Sequence, residues 1–218
     1  MTTTPLASGL TASVDVTAFS GDFGRLRIYL EGLAATPVRA VVLPIEQWTG
    51  ELASEELRWL ELFVLPMVAA FEGELAGPAL DLALACDLRL CGENAVIRAR
   101  RIGSRRLLTL IGHARSADLF GRRGSLDAAG LLEFGLVSDV VPAGQAVAAA
   151  EGIAAVIASR GPIATRLGKE AIWRGLELPF DHALRFETDL TLLLQTTKDR
   201  AEGVRAFLEK RPPTFTGE

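Results

Sequence analysis

The chain has 218 residues, 49% of them hydrophobic and 23% charged, the balance of one soluble globular domain able to bury a sizeable core. A net charge of −4 argues against nucleic acid as a partner. Two cysteines five residues apart, Cys86 and Cys91, make neither a disulfide framework nor a zinc set, so a reducing cytoplasm is the expected compartment and no metal is expected.

The opening MTTTPLASGLTASVDV carries no basic segment followed by an apolar core. The longest apolar run, Leu62 to Phe71, is interrupted by Pro66 and too short to span a bilayer, so neither export nor a membrane role is expected. Residues 10–17 read as one strand. Gly21 to Leu33 reads as a helix, with Phe23, Leu26, Leu30 and Leu33 at helical spacing. Val38 to Leu43 is a buried strand, and this order predicts an α/β fold. Glu51 to Phe63 has a charged face, including Glu55, Arg58 and Glu61, and an apolar face of Leu52, Trp59, Leu62 and Phe63, which predicts a solvated amphipathic helix.

Val68 to Phe71 is a strand closed by the Glu72-Gly73 turn. Gly77-Pro78 then supplies a flexible entry and a proline where a helix does not need its N–H. Leu80, Leu82, Ala83, Leu84 and Ala85 make that helix apolar nearly all round, hence buried, and a strand from Asp87 to Cys91 leaves it. A buried helix N-terminus can hold developing negative charge. Asp81, the sole ionisable side chain of this helix and expected in its first turn, needs a partner or a role; favouring the dipole or capping a neighbour would also account for it.

Arg98, Arg100, Arg101, Arg105 and Arg106 form a basic cluster in an acidic protein, read either as an anion site or as a solvated surface with local ion pairs. Ser125-Leu126-Asp127 starts a helix, with the serine or aspartate as cap. Helical spacing recurs in 147–158, 163–175 and 180–196, between the breakers Gly161-Pro162 and Leu178-Pro179. His113 and His182 read as surface residues.

Pro66 to Cys91 resembles the phrase P-V-I-A-A-V-N-G-x-A-x-G-G-G-x-E-L-A-L-A-C-D-L-R-I-A of the enoyl-CoA hydratase/isomerase (crotonase) superfamily. The departures fall on functional letters: the triple glycine becomes Gly77-Pro78-Ala79, and the following glutamate becomes Asp81. Trp48-Thr49-Gly50-Glu51-Leu52 is the nearest counterpart of F-S-A-G-A-D-L, which supplies an oxyanion-hole amide in the family. The stretch 93–112 lacks the family's Pro- and Gly-rich loop, and Arg101 falls on its second catalytic glutamate. From Ile111 the match resumes, and the closing AEGVRAFLEKRPPTFTG places Phe207 and Lys210 where the family holds the adenosine-phosphate end of coenzyme A.

The resemblance runs from about Val38 to the end. It implies a crotonase-like spiral of short ββα units (residues 1–145) with a C-terminal helical region (146–218) of the same domain that packs between subunits, hence a homotrimer or a dimer of trimers. It implies an acyl thioester ligand on CoA or a carrier protein, with no other cofactor. The oxyanion positions are then Gly50, Gly77, Pro78 and Ala79, and the catalytic positions Asp81 and Arg101. Family hydration uses two carboxylates around one water; an arginine cannot take a proton near neutral pH, and proline has no N–H to donate. Two functions stay open. One is an enzyme working on a thioester by a non-standard isomerase, lyase or decarboxylase route. The other is a non-catalytic subunit assisting a partner biosynthetic enzyme.

Overall fold

A computed structural model describes residues 9–98 and 105–218. Five parallel strands form the main sheet: β1 (Thr11–Ser13), β2 (Ala40–Pro44), β3 (Met67–Phe71), β5 (Leu88–Gly92) and β8 (Asp139–Val141), in that spatial order. A second sheet of three short strands, β4 (Glu74–Ala76), β6 (Val96–Arg98) and β7 (Ser125–Asp127), stands beside it. The helices are α1 (Phe23–Ala34), α2 (Ser54–Glu61), α3 (Gly77–Leu84), α4 (Arg105–Asp118), α5 (Ala128–Phe134), α6 (Ala146–Ala158), α7 (Pro162–Gly175), α8 (Phe180–Gln195) and α9 (Lys198–Glu209).

Alternation along the parallel strands builds two layers. Ala40 and Val42 of β2, with Val68 and Ala70 of β3, face α6. Val41, Leu43, Met67, Ala69 and Phe71 face the larger core under α1, α2 and α3. The α6 contact is lined by Ala146, Ala150, Ala154 and Ala158, whose four-residue spacing puts a stripe of single methyl groups against the sheet. In the small sheet Leu75, Ile97 and Leu126 lie in register and are buried, while Glu74 and Arg98 face outward as an ion pair at 2.7 Å.

Several expectations change in detail. Residues 10–17 are a short strand followed by a 3-10 turn, Val16–Phe19, because Asp15 accepts the Thr17 N–H and closes the chain on itself. The helix expected over 51–63 is confined to Ser54–Glu61, and Glu61 is not solvated. It is 5% exposed and paired with Arg106 of α4 and, at 3.4 Å, with Arg58. The turn at Glu72-Gly73 leads first into β4, not directly into a helix. Glu72 itself caps α6, accepting the N–H groups of Gly144 (2.7 Å) and Ala146 (3.2 Å).

Candidate active site

Parallel strands deliver their following loops to one edge of a sheet. Pro44 pairs with Ala70 and Phe71 with Cys91, and the Ile45 N–H donates to the Ala70 carbonyl at 2.8 Å, so the loop after β2 leaves beside the end of β3. From that end the chain passes through Glu72-Gly73 and β4 to α3. Gly77 takes a left-handed φ of 56° at the junction; nothing lies within 4 Å of where a Cβ would stand, so backbone conformation and not space requires glycine there.

Ala76 precedes α3 with extended backbone and gives no side-chain cap. Pro78 occupies the second helical position, where its ring fits and its missing N–H costs the helix nothing. Of the three expected oxyanion positions here, Gly77 and Ala79 therefore carry an N–H and Pro78 does not. Asp81 is the fifth residue of α3, one residue further in than expected from sequence and so just past the first turn, and is half-buried. Ala79, Leu80, Leu82, Ala83 and Leu84 bury the rest of the helix, which holds this short segment in place.

Gly50 lies on the loop after β2, where its backbone presses on Gly21. A Cβ at Gly50 would stand 1.9 Å from the Gly21 carbonyl oxygen, so only glycine permits this approach. Two residues earlier, Trp48 is buried to 6% exposure, and its indole N–H meets no acceptor among the described residues.

Arg101, with Arg100, lies outside the described residues, as does the side chain of Arg105. Of the basic cluster, Arg98 pairs with Glu74 and Arg106 with Glu61, so the described members are ion-paired. Phe207 lies in the last turn of α9, and Lys210 is its C-terminal cap. Phe207 is 83% exposed and borders an apolar hollow of about 370 Å³ with Ala164, Leu194, Val204 and Phe215. Lys210 ends α9 in the left-handed conformation.

Three features escaped sequence reasoning. Asp87, just before β5, accepts N–H bonds from Met67 (2.7 Å), the Lys169 ammonium (2.8 Å) and the Trp173 indole (2.8 Å), tying α7 to the start of β3. A lone carboxylate between two apolar segments was the available signal. The Glu61–Arg106 pair had none, since its partners are 45 residues apart. The orphan indole of Trp48 shows only once the loop is packed. Burial pushes the Cys86 thiol up to about 12 and the Cys91 thiol to about 11, which rules both out as nucleophiles near neutral pH. Among the described residues no single helix is long and apolar enough to cross a membrane.

The family model for enoyl-CoA hydratase/isomerase matches residues 47–218. The chain is 38% identical over 168 residues to a mitochondrial protein of Arabidopsis thaliana named probable enoyl-CoA hydratase 2, covering 73% of this chain and 56% of that one. It is 34% identical over 167 residues to 2,3-dehydroadipyl-CoA hydratase of Escherichia coli, covering 72% and 66%. The chain thus spans less than two thirds of these relatives' length. Among solved structures, an enoyl-CoA hydratase from Bacillus anthracis superposes with a TM-score of 0.83 at 28% identity, covering 100% of this chain and 98% of that one. DspI of Pseudomonas aeruginosa gives 0.85 at 25%, covering 98% and 96%. Two-layer packing, the β3–α3–β5 unit and the matched stretch agree, and the chain belongs to the enoyl-CoA hydratase/isomerase family with a crotonase-type α/β fold.

Proposed function

We propose that this chain binds an acyl thioester, carried on coenzyme A or a carrier protein, at the entrance to α3, and acts on it by a route other than two-carboxylate hydration. Isomerisation, dehydration or decarboxylation in a biosynthetic sequence fits such a site. The carrying observation is Pro78 in the first turn of α3 with Asp81 one turn in. Losing one amide of an oxyanion hole costs about 3 kcal/mol of transition-state stabilisation. Asp81 then serves as the one acid/base, with Arg101 orienting a substrate carboxylate and the Gly50, Gly77 and Ala79 amides as the remaining donors.

The same reading puts Phe207 and Lys210 against the nucleotide end of the ligand on a neighbouring copy, in a homotrimer or a dimer of trimers. What supports this is the apolar exposure of the C-terminal helices: Phe180 is 75% exposed, Leu192 60%, Phe207 83% and Leu208 74%. A second reading, a non-catalytic subunit that assists a partner acyl-processing enzyme, is favoured by Pro78 and by the arginine at position 101.

Calorimetric titration with butyryl-CoA, followed by a crotonyl-CoA hydration assay, tests both. Binding without rapid hydration, together with turnover of another thioester that Asp81→Asn abolishes, is the expected result. Binding with no turnover across a thioester panel selects the accessory reading. Rapid hydration of crotonyl-CoA overturns the proposed route, and absence of binding to every thioester tried overturns the thioester reading and leaves the accessory one.

A further inference from the structure

α9 closes on a residue that its geometry disfavours. The Arg211 N–H donates to the Ala206 carbonyl at 3.0 Å and the Lys210 N–H to the Phe207 carbonyl at 3.3 Å, the two bonds that end a helix through one left-handed residue. α5 ends by the same pair of bonds, Leu136 to Leu131 and Gly135 to Leu132, and there the left-handed residue is glycine. In α9 it is Lys210, with φ 54° and ψ 40°, where a Cβ crowds the backbone. A side chain kept at a strained position asks for a role. The fold supplies none: Lys210 is exposed, and its ammonium makes no ion pair or hydrogen bond among the described residues.

The next residue holds the turn. Arg211 meets both carboxylate oxygens of Glu202, at 2.6 and 3.0 Å, and turns its Nε to Glu209 at 2.6 Å. Two-pronged pairing of this kind fixes direction as well as distance, which a single-contact surface ion pair does not. Glu202 also accepts the Thr214 N–H at 2.9 Å, so the chain after the turn lies back along α9. Further on, Asp199 accepts the N–H groups of Thr216 (2.7 Å) and Gly217 (3.0 Å), and the Phe215 carbonyl accepts from Arg39, just before β2, at 2.7 Å. The turn is thereby anchored to its own helix on one side and to the main sheet on the other. Hydrogen bonds from Arg211 and then Thr214 hold the Glu202 carboxyl down to about 2, so the grip stays charged throughout the neutral range. Phe207, whose carbonyl closes the turn, shares its apolar hollow with Phe215 of the same returning segment.

We propose that Glu202 is a positioning residue for the ligand: by gripping Arg211 it keeps Lys210 in the left-handed turn, which presents the Lys210 ammonium, at the same helix end as the exposed Phe207 ring, to a phosphate at the nucleotide end of coenzyme A. This rests on the thioester reading above and adds to it the residue that sets the contact. The strain at Lys210 is then retained because glycine, which would relieve it, carries no ammonium.

The test is calorimetric titration of the full-length chain with butyryl-CoA and with S-butyrylpantetheine, which lacks the nucleotide and its phosphates. Glu202→Gln and Lys210→Gly should each weaken butyryl-CoA binding about tenfold, the size of one charge-assisted hydrogen bond, and leave S-butyrylpantetheine binding unchanged. The double variant should bind no more weakly than Lys210→Gly alone, since Glu202 acts through the ammonium that this variant has already lost. Lys210→Gly should at the same time raise Tm by about 2–4 °C, stability and affinity moving in opposite directions. Wild-type affinity for butyryl-CoA in Glu202→Gln, losses that add in full in the double variant, an equal loss for S-butyrylpantetheine, or a lower Tm for Lys210→Gly overturns the inference and leaves the thioester reading standing. Absence of butyryl-CoA binding to the wild-type chain overturns the inference, and absence of binding to every thioester overturns that reading with it. Should Glu202→Gln fail to fold, Arg211→Lys, which keeps the charge but loses the two-pronged grip, takes its place with the same expected losses. The double-variant comparison decides the matter where S-butyrylpantetheine binds too weakly to titrate.

Discussion

Replacing Asp87 with alanine removes the acceptor for three N–H groups, those of Met67, Lys169 and Trp173, and strands the Lys169 ammonium in a site where its side chain is 8% exposed. Lys169 would keep only the Leu65 carbonyl, at 3.1 Å. Breaking a buried pair from one side costs about 3–5 kcal/mol, and because the Asp87 side chain is 18% exposed the lower part of that range applies, about 3 kcal/mol. Lys169→Met should cost less, about 1–2 kcal/mol, since the carboxylate retains the Met67 and Trp173 donors. The double variant, with neither charge, should be more stable than Asp87→Ala alone. Urea unfolding followed by circular dichroism reads all three, and a loss of 3 kcal/mol should also lower Tm by about 6–12 °C in a chain of this length. A value for Asp87→Ala within about 1 kcal/mol of wild type, or a double variant no better than that single one, would refute the reasoning.

Gly50→Ala places a methyl group 1.9 Å from the Gly21 carbonyl oxygen, so the loop must shift; Tm should fall, and the ¹⁵N-labelled indole signal of Trp48 should move. Arg106→Leu leaves buried Glu61 with Arg58 alone, and should cost up to about 3 kcal/mol in urea unfolding, an amount that Glu61→Leu in the same background should largely restore. The thiols of Cys86 and Cys91 are raised to about 12 and about 11 in the folded chain, against an ordinary value of 9.0. The folded state therefore holds its thiol protons longer than the unfolded one. Their contribution is fully present below pH 9 and is lost as pH rises from there toward 12, so stability should decline over that window and less steeply in a Cys86→Ala/Cys91→Ala variant. Native protein at pH 8 should resist iodoacetamide at both positions, and rapid alkylation would contradict the burial.

The β3–α3–β5 unit was legible because its signals are local: an apolar run of strand length, a Gly-Pro entry and an apolar helix. The C-terminal helices declared themselves through spacing and breakers in the same way. The second sheet was not legible. Its strands β4, β6 and β7 are three residues each, too short for alternation to show, and they exist because Leu75, Ile97 and Leu126 meet in space across 51 residues of sequence. Glu61 was read as solvated because helical spacing sees only its own helix, whereas its burial is decided by Arg106 from another. At the site, the residue types spoke plainly at Pro78, whose missing N–H is a covalent fact. Trp48 stands in the sequence as the first letter of the counterpart to F-S-A-G-A-D-L, and whether its indole finds an acceptor is settled by tertiary packing alone.

The contact between Gly21 and Gly50 joins two stretches of unequal visibility. The stretch matching the family model begins at residue 47, while Gly21, β1, α1 and β2 precede it. A protein engineer who excised the matched stretch as a portable module would leave β3 with an open edge and the Trp48 loop without its backstop. Grafting, swapping or shuffling of this loop therefore has to carry the segment from Thr11 to Pro44 along with it.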